Sequence, residues 1–290
     1  MLLFHISRIT SLGEKMEMVI VGSTGFDDIE TPLGKASGLL GGSAVYSGLS
    51  AAFHARDIGL QRLSVGIVSI VGPDFDPDSR RTLSESGLDL TGLRISDLPT
   101  FRWSGKYEGG MDHAETISTE LNSLAGFDPI FPPNWDNPQI VFCTSASPIS
   151  QNSVLDANQG ALVTALDTID LWIESDFTGL SEALRKVDIA ILKGCVCIHR
   201  DGVIILPAYP TTRIVDPTGC GDVFAGAMLA QLVPLKGRIA DLESMRRALV
   251  HATVTASFNI ETFGTDSISS LKRGKYRARL DKFRRMVGII

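Results

Sequence analysis

The sequence predicts an α/β protein in which a mostly parallel central sheet is covered by helices. Short apolar runs alternate along the chain with segments of helical periodicity, as expected when strands and helices alternate. The runs are almost continuously apolar, which is typical of parallel strands buried on both faces. The runs lie at residues 18–22, 63–72, 139–145, 160–168 and 187–192.

Length and composition are compatible with one large domain. The chain has 290 residues, against a typical domain of about 150, so one large domain or two small ones are expected. Its 44% hydrophobic and 21% charged residues are ordinary for a globular protein. Because 27 Lys and Arg face 33 Asp and Glu, the net charge of -6 argues against a nucleic-acid partner.

The cysteines and the N-terminus favour a cytoplasmic protein. The four cysteines form no CxxC pair and no zinc-ligand spacing, as expected in a reducing compartment. No apolar run reaches the roughly 18 residues of a membrane helix, so no membrane partner is expected. The apolar start lacks a leading basic region and is interrupted by polar residues, which argues against a secretory signal. We interpret residues 1–17 as an extension and residues 18–290 as one domain.

Two polar segments interrupt the alternation, at about residues 27–40 and 99–117. The second places Phe101, Trp103 and Tyr107 among small and charged residues. We interpret both segments as a small sheet that projects from the main domain and covers a site at the sheet edge. An ordinary surface hairpin is the alternative interpretation.

Two further local patterns predict specific structures. Ser43 follows a glycine pair and precedes apolar residues at helical spacing, which predicts a helix capped by Ser43. Asp201-Gly202 lies between two apolar runs, which predicts a hairpin. The hairpin follows the run at 187–192 too closely for a parallel crossover. Either residues 187–200 form one bent strand, or a crossover unit is absent.

The most informative segment is IVDPTGCGDVFAGAMLAQL, residues 214–232. Its glycines allow backbone N–H groups to turn toward a ligand, and the following helix adds the positive end of its dipole. Asp222 in the first helical turn could accept a proton from an attacking hydroxyl. A plain glycine turn before an acidic helix start is the alternative. Other phosphate motifs fail, since no Walker A string occurs and Phe224 stands where a dinucleotide motif needs glycine.

Four segments together resemble the PfkB, or ribokinase-like, carbohydrate kinase family. DPTGCGDVFAGAM resembles the family's C-terminal signature. VGSTGFD, LGGSAVYSGLSAA and IVGPDF, at 21–27, 40–52 and 70–75, resemble its earlier motifs in the same order. The resemblance implies a ribokinase-like fold with a β-sheet lid, and phosphoryl transfer from ATP to a hydroxyl of a sugar or nucleoside. It also implies a Mg²⁺ requirement and a possible homodimer formed through the lid.

The resemblance also implies roles for individual residues near the glycine turn. Asp222 corresponds to the catalytic base. The backbone N–H groups of Gly219, Cys220 and Gly221 correspond to an anion hole for the transferred phosphoryl group. Such chemistry depends on positioning and charge stabilisation rather than on covalent help from the protein.

The resemblance also implies which residues bind the substrate and the nucleotide. Asp27, Gly41 and Gly42 correspond to ligands of the sugar hydroxyls, with Tyr46 beside them. The segment 256–264 corresponds to a helix end beside the adenine, where Ala256 and Ser257 are small enough for a flat base to approach. Simple packing of that helix against the sheet explains the two small residues equally well.

Three features depart from the family pattern. Tyr46 stands where an asparagine is usual, and Cys220 replaces an alanine. Near residue 193 the chain lacks the unit that carries an Asn-x-x-Glu motif linked to magnesium. The metal ligands are therefore unknown, and Asp167 and Glu174 are candidates only because they are acidic. A catalytically impaired relative that binds sugar or nucleotide without transferring phosphate is the alternative function.

Overall fold

The computed structural model describes residues 16–60, 64–191, 196–235 and 241–289. Most of the predicted N-terminal extension lies outside these ranges. The junction near residue 193, where a crossover unit was expected to be missing, also lies outside them. Within the described ranges, no helix combines the length and apolar character needed to cross a bilayer.

Thirteen strands and nine α-helices are found in the described ranges. The strands are β1 (Met18–Val21), β2 (Gly25–Thr31), β3 (Gly34–Gly41), β4 (Val65–Val71), β5 (Leu88–Asp89), β6 (Leu93–Ile95), β7 (Phe101–Tyr107), β8 (Ala114–Glu120), β9 (Ile140–Cys143), β10 (Val163–Asp167), β11 (Ile189–Ile191), β12 (Val196–His199) and β13 (Gly202–Ile205). The helices are α1 (Ser43–Asp57), α2 (Pro77–Glu85), α3 (Pro148–Ala157), α4 (Asp170–Ser175), α5 (Phe177–Leu184), α6 (Cys220–Leu232), α7 (Leu242–Asn259), α8 (Asp266–Ser269) and α9 (Arg273–Met286).

The central sheet has the order β11-β10-β9-β1-β4-β5, and β6 also pairs with β4. Every pairing in it is parallel. Five of its strands, β1, β4, β9, β10 and β11, arise from the five apolar runs. One face packs against α1, α6, α7 and α9, and the other packs against α3 and α5. The structure thus confirms the predicted α/β class and the burial of both sheet faces.

The two polar segments form a single four-stranded sheet, which we call the lid sheet. Its order is β3-β2-β7-β8, with β2 and β7 parallel and the outer pairs antiparallel. A small sheet was therefore the correct interpretation, and separate surface hairpins were not. The predicted hairpin at Asp201-Gly202 is also confirmed, since β12 and β13 pair antiparallel around that turn.

The prediction that Ser43 caps α1 is wrong. The N-cap is Gly42 at a φ of 100°, and no side chain caps this helix. The Ser43 hydroxyl lies 3.1 Å from the Ser23 hydroxyl and 2.6 Å from Thr144 Oγ1. These bonds connect the start of α1 to the chain segments that follow β1 and β9.

Helices α1 and α6 contact each other closely at Gly226. A Cβ atom at this position would lie 2.1 Å from the carbonyl oxygen of Ser47. We expect Gly226→Ala to push the helices apart and lower the free energy of unfolding by about 1–3 kcal/mol, as overpacking does. Urea denaturation measures the change. Gly274→Ala is the control, because open space surrounds Gly274 in α9; an equal loss in both variants would contradict the explanation.

Stability should depend on pH through a buried histidine on α1. His54 Nε2 lies 2.8 Å from Thr255 Oγ1, and burial together with the nearby His251 lowers the pKa of His54 from 6.5 to about 3. The unfolded chain therefore binds this proton below pH 6.5, whereas the folded protein does not. The contribution of His54 to the free energy of unfolding should therefore fall by a few kcal/mol, at order of magnitude, as the pH drops from 6.5 toward 3.

Urea denaturation at several pH values between 4.5 and 7.5 measures this dependence. Burial also lowers the pKa of His251, to about 4, so both histidines act in the same direction. On acidification, a His54→Gln variant should lose less stability, or gain more, than the parent protein does. Equal slopes in the variant and the parent protein would contradict the assignment.

Candidate active site

Several polar groups meet at the carboxyl edge of the central sheet. Parallel strands end at one common edge, which is where open α/β sheets bind ligands. Ser23 follows β1, Ser145 follows β9, and Asp167 ends β10. The Ser145 hydroxyl donates to Asp167 Oδ1 at 3.2 Å, and burial raises the pKa of Asp167 to about 7. The lid sheet and the start of α6 enclose this edge.

The glycine turn before α6 has a specific backbone shape. Gly219 is the N-cap, with a φ of 70°, and a Cβ there would lie 2.4 Å from the ring of Tyr46. The Cys220 N–H donates to the carbonyl of Pro217 at 3.1 Å. Among the described residues, no acceptor is hydrogen-bonded to the N–H of Gly219 or Gly221. These two groups can therefore donate to an anion without breaking an existing bond.

Buried polar side chains hold this turn in place. Asp216 accepts hydrogen bonds from the N–H of Thr218 at 2.9 Å and of Gly264 at 3.0 Å. Asn259 Nδ2 donates to the carbonyl of Thr218 at 2.7 Å. The Tyr107 hydroxyl lies 3.0 Å from Thr218 Oγ1, which connects the lid sheet to the turn. The backbone at the helix start is thus preorganised.

Sequence reasoning missed these supporting residues. Asp216 had a local signal, because an Asp followed two residues later by a backbone donor is typical of an Asx turn. Asn259 and Tyr107 had none, since their partner Thr218 lies 41 and 111 residues away. Contacts over such separations depend on how α7 and β7 pack.

Asp222 occupies the first turn of α6 and is half-buried. Its Oδ1 atom is shielded from solvent and has no hydrogen-bond partner among the described residues. Burial raises the pKa of Asp222 well above its usual value, and the charges of Asp167 and Asp27 raise it further. A carboxylate in this environment is well suited to accept a proton at neutral pH.

The predicted substrate residues lie together on the inner side of the lid sheet. Asp27 on β2 is 3% exposed, and it accepts a long hydrogen bond of 3.5 Å from the Tyr46 hydroxyl. A Cβ at Gly41 would lie 2.0 Å from Asp27 Oδ2, so this contact requires glycine. Gly42 adjoins it, with a φ of 100°. The four residues therefore form one group around the Asp27 carboxyl.

Asp27 should reduce stability at neutral and higher pH. Burial, and then the charge of Asp216, raise the pKa of Asp27 from 3.8 to about 7. Between these values the folded protein binds a proton that the unfolded chain has released, so stability falls as the pH rises from 4 to 7. We expect Asp27→Asn to raise the free energy of unfolding at pH 8 by a few kcal/mol, at order of magnitude. Urea denaturation at pH 4 and pH 8 tests this; equal effects at both would contradict it.

Of the two predicted nucleotide residues, the structure brings only Ala256 to this group. The Ala256 carbonyl lies 3.9 Å from the Cys220 sulfur, at the start of α6. Ser257 is buried, and its hydroxyl accepts from Arg279 of α9 at 3.1 Å. Burial raises the pKa of Cys220 to about 12, so the thiol is protonated and unreactive at neutral pH.

A protein-only metal cage is not found in the described ranges, where no group of three or more His, Cys, Asp or Glu could hold an ion. Mg²⁺ commonly uses one or two carboxylates together with water and substrate phosphates. Asp167 could be such a carboxylate. It is near enough to Asp222 for its charge to raise the pKa of Asp222. Glu174 lies on the wall of a cavity under the lid sheet, which Ser23 and Ser145 also line.

Comparison with known proteins shows similarity in sequence and in fold. Residues 192–272, which include the turn, α6 and α7, match the family model of the pfkB family carbohydrate kinases. A cytidine kinase of Thermococcus kodakarensis is 28% identical over 255 residues, covering 74% of this chain and 88% of the relative.

Two solved structures share the fold at low identity. The nucleoside kinase of Methanocaldococcus jannaschii, an archaeal member of the ribokinase family, has a TM-score of 0.71 and 18% identity over 93% of this chain and 100% of its own. The ribokinase of Cryptococcus neoformans var. grubii serotype A, in complex with ADP, has a TM-score of 0.68 and 18% identity over 91% and 100%. These likenesses confirm the predicted ribokinase-like fold.

Proposed function

We propose that this chain is a ribokinase-like carbohydrate kinase of the PfkB type, and that it transfers a phosphoryl group from ATP to a hydroxyl of a sugar or nucleoside. One observation carries the proposal. The partnerless, buried Oδ1 of Asp222 lies in the first turn of α6, directly after the glycine turn. A proton acceptor beside a group of anion donors is the arrangement that phosphoryl transfer requires.

In this mechanism the acceptor hydroxyl lies between Asp27 and Asp222. Asp27, with Gly41 and Gly42, orients the acceptor ring, and Asp222 removes the proton as the oxygen attacks phosphorus. The N–H groups of Gly219 and Gly221, with the dipole of α6, stabilise charge on the transferred group.

The Cys220 N–H already donates to Pro217, so it joins the anion hole only by sharing that bond. We therefore assign the larger part of this stabilisation to the two glycines. The cysteine replaces a smaller residue without losing the function, because only its backbone is used.

The residues present fit ATP and Mg²⁺. Among the described residues, the space that a Cβ on Gly221 would occupy is open, so a phosphate can approach the helix start closely. ATP supplies the phosphoryl group and Mg²⁺ neutralises phosphate charge when they are bound. We propose that Asp167 helps to hold the ion and that Ala256 lies beside the adenine.

A panel assay tests the function. ADP release from ATP and Mg²⁺ is measured with neutral sugars and nucleosides, and phosphorylated product is identified by mass spectrometry. We expect at least one acceptor to be phosphorylated, and the activity to disappear when EDTA removes the metal. Acceptor binding with no product at any metal concentration would contradict transfer and favour the impaired relative.

A further inference from the structure

We propose that the acceptor is an uncharged ring that carries an apolar or aromatic substituent, as in a nucleoside, and that a cavity under the lid sheet binds this substituent. The inference rests on the proposed function, and it specifies the class of substrate. Free pentoses and anionic sugars, such as sugar acids or sugar phosphates, are then poor acceptors.

The cavity has a volume of about 840 Å³. This is at the upper end of the roughly 300–1,000 Å³ of small-molecule sites, and a lone pentose would leave most of it empty. Its walls come from the inner face of the lid sheet, the loop 121–129, and the first turns of α3 and α4. Gly22 and Ser23, which follow β1, close its inner end.

Strand register joins this cavity to the proposed acceptor site. Asp27 on β2 is paired with Trp103 on β7, and Trp103 is paired with Thr119 on β8. Paired residues on adjacent strands project from the same face of a sheet. Asp27 therefore lies beside the cavity wall that Trp103 and Thr119 form, and a ring held at Asp27 directs a substituent along that wall.

Aromatic and aliphatic surface dominates the wall. The Trp103 indole lies against Gly105, and its Nε1 donates to Thr116 Oγ1 at 3.3 Å. Trp172 Nε1 donates to the carbonyl of Ser145 at 3.2 Å. Since both indole N–H groups are already bonded, the rings offer the cavity mainly their apolar surfaces, which suits stacking of a flat group.

Apolar side chains in contact with solvent extend this wall. Leu171 on α4 is 49% exposed and Ile149 on α3 is 78% exposed, although both line the cavity. Exposed apolar residues gathered around a concave site are typical of a ligand-binding region. A bound apolar substituent would cover both side chains.

The charges of the wall exclude anionic acceptors. The described residues that line the cavity include Asp128 and Glu174, but no Lys, Arg or His. Arg102, the neighbour of Trp103, projects from the opposite face of the lid sheet, where it pairs with Asp74 at 3.2 Å. A carboxylate or phosphate in the cavity would meet like charges and no counter-ion.

Calorimetric titration of the parent protein without ATP tests the inference, because binding is then measured apart from transfer. The probes are inosine, cytidine, ribose and ribose 5-phosphate. We expect at least one nucleoside to bind about 10-fold more tightly than ribose, as a stacked base allows. Ribose 5-phosphate should bind more weakly than ribose.

Variants of cavity residues test whether the cavity accounts for the tighter binding of nucleosides. Trp103→Ala should weaken nucleoside binding about 10-fold and leave ribose binding within about twofold. Leu171→Ala, at a half-exposed position, gives a second variant that preserves folding and should weaken nucleosides only. Ile198→Ala is the control, since Ile198 lies on β12, is 83% exposed and does not line the cavity.

Three results would overturn the inference: ribose binding as tightly as the nucleosides, tighter binding of ribose 5-phosphate, or equal losses for ribose and nucleosides in Trp103→Ala. If the panel assay then shows ribose phosphorylation, transfer stands and only the substrate class is wrong. If nucleosides bind as expected but no acceptor is phosphorylated, the cavity assignment stands and the proposed function fails.

Discussion

Asp222→Asn should lower kcat by about 100-fold or more, with little change in acceptor affinity. A general base contributes on the order of 100- to 10,000-fold, and an amide cannot accept the proton. The substitution conserves shape and removes a buried charge, so the variant should fold. Steady-state kinetics with the best acceptor of the panel, together with calorimetry of the same acceptor, measure both quantities.

Asp281→Asn provides the matched control, because Asp281 is an exposed carboxylate on α9. It should leave kcat unchanged. The pH profile adds an independent test of the parent protein: burial raises the pKa of Asp222, so kcat should decline with acidification at a pH well above the usual range of an aspartate. Retention of full kcat in Asp222→Asn would contradict the assigned role.

Gly219→Ala should impair both stability and transfer. The residue adopts a φ of 70°, and the new methyl carbon would lie 2.4 Å from the Tyr46 ring. The left-handed conformation costs an L-residue about 1–2 kcal/mol, and the overlap adds about 1–3 kcal/mol. Displacement of the turn by about 1 Å should also reduce kcat by about 100-fold.

Gly221→Ala separates the local strain from a general effect of adding a methyl group. Apart from its chain neighbours and the backbone of α6, no described residue lies within 4 Å of a Cβ at Gly221, which is already within α6. This variant should be as stable as the parent protein, or more stable by up to about 1 kcal/mol, since alanine favours helix. Urea denaturation of both variants measures the effect on stability, and steady-state kinetics of Gly219→Ala measure the loss of kcat; equal losses of stability at the two positions would contradict the explanation.

Much of the site was predictable because its motifs are local. The turn, the start of α6 and the carboxyl of Asp222 fall within a few residues, so their relative placement follows from backbone geometry. The same holds for Gly41 and Gly42 before α1. Ser43 was misassigned for a local reason, since the glycine before it adopts a positive φ and itself becomes the N-cap.

The sequence left open whether Ala256 and Ser257, near the end of α7, face the candidate site or pack elsewhere. Their positions around the helix axis decide this. Ala256 and Ser257 are neighbours in the chain, yet successive residues on a helix point about 100° apart. The backbone carbonyl of Ala256 lies near the Cys220 sulfur, whereas the hydroxyl of Ser257 accepts a hydrogen bond from Arg279. The packing of α6 and α9 against α7 selects the face, and that packing is not encoded in a local pattern.

By itself, the sequence determined the α/β class, the buried parallel strands, the glycine turn followed by Asp222, and the existence of a small projecting sheet. These features depend on hydrophobic periodicity and on short motifs, which act over a few residues. Only the tertiary structure placed Asp27 beside Trp103, and Tyr107 and Asn259 on Thr218. Such contacts join segments that are distant in the chain, so they follow from strand register and helix packing rather than from local sequence.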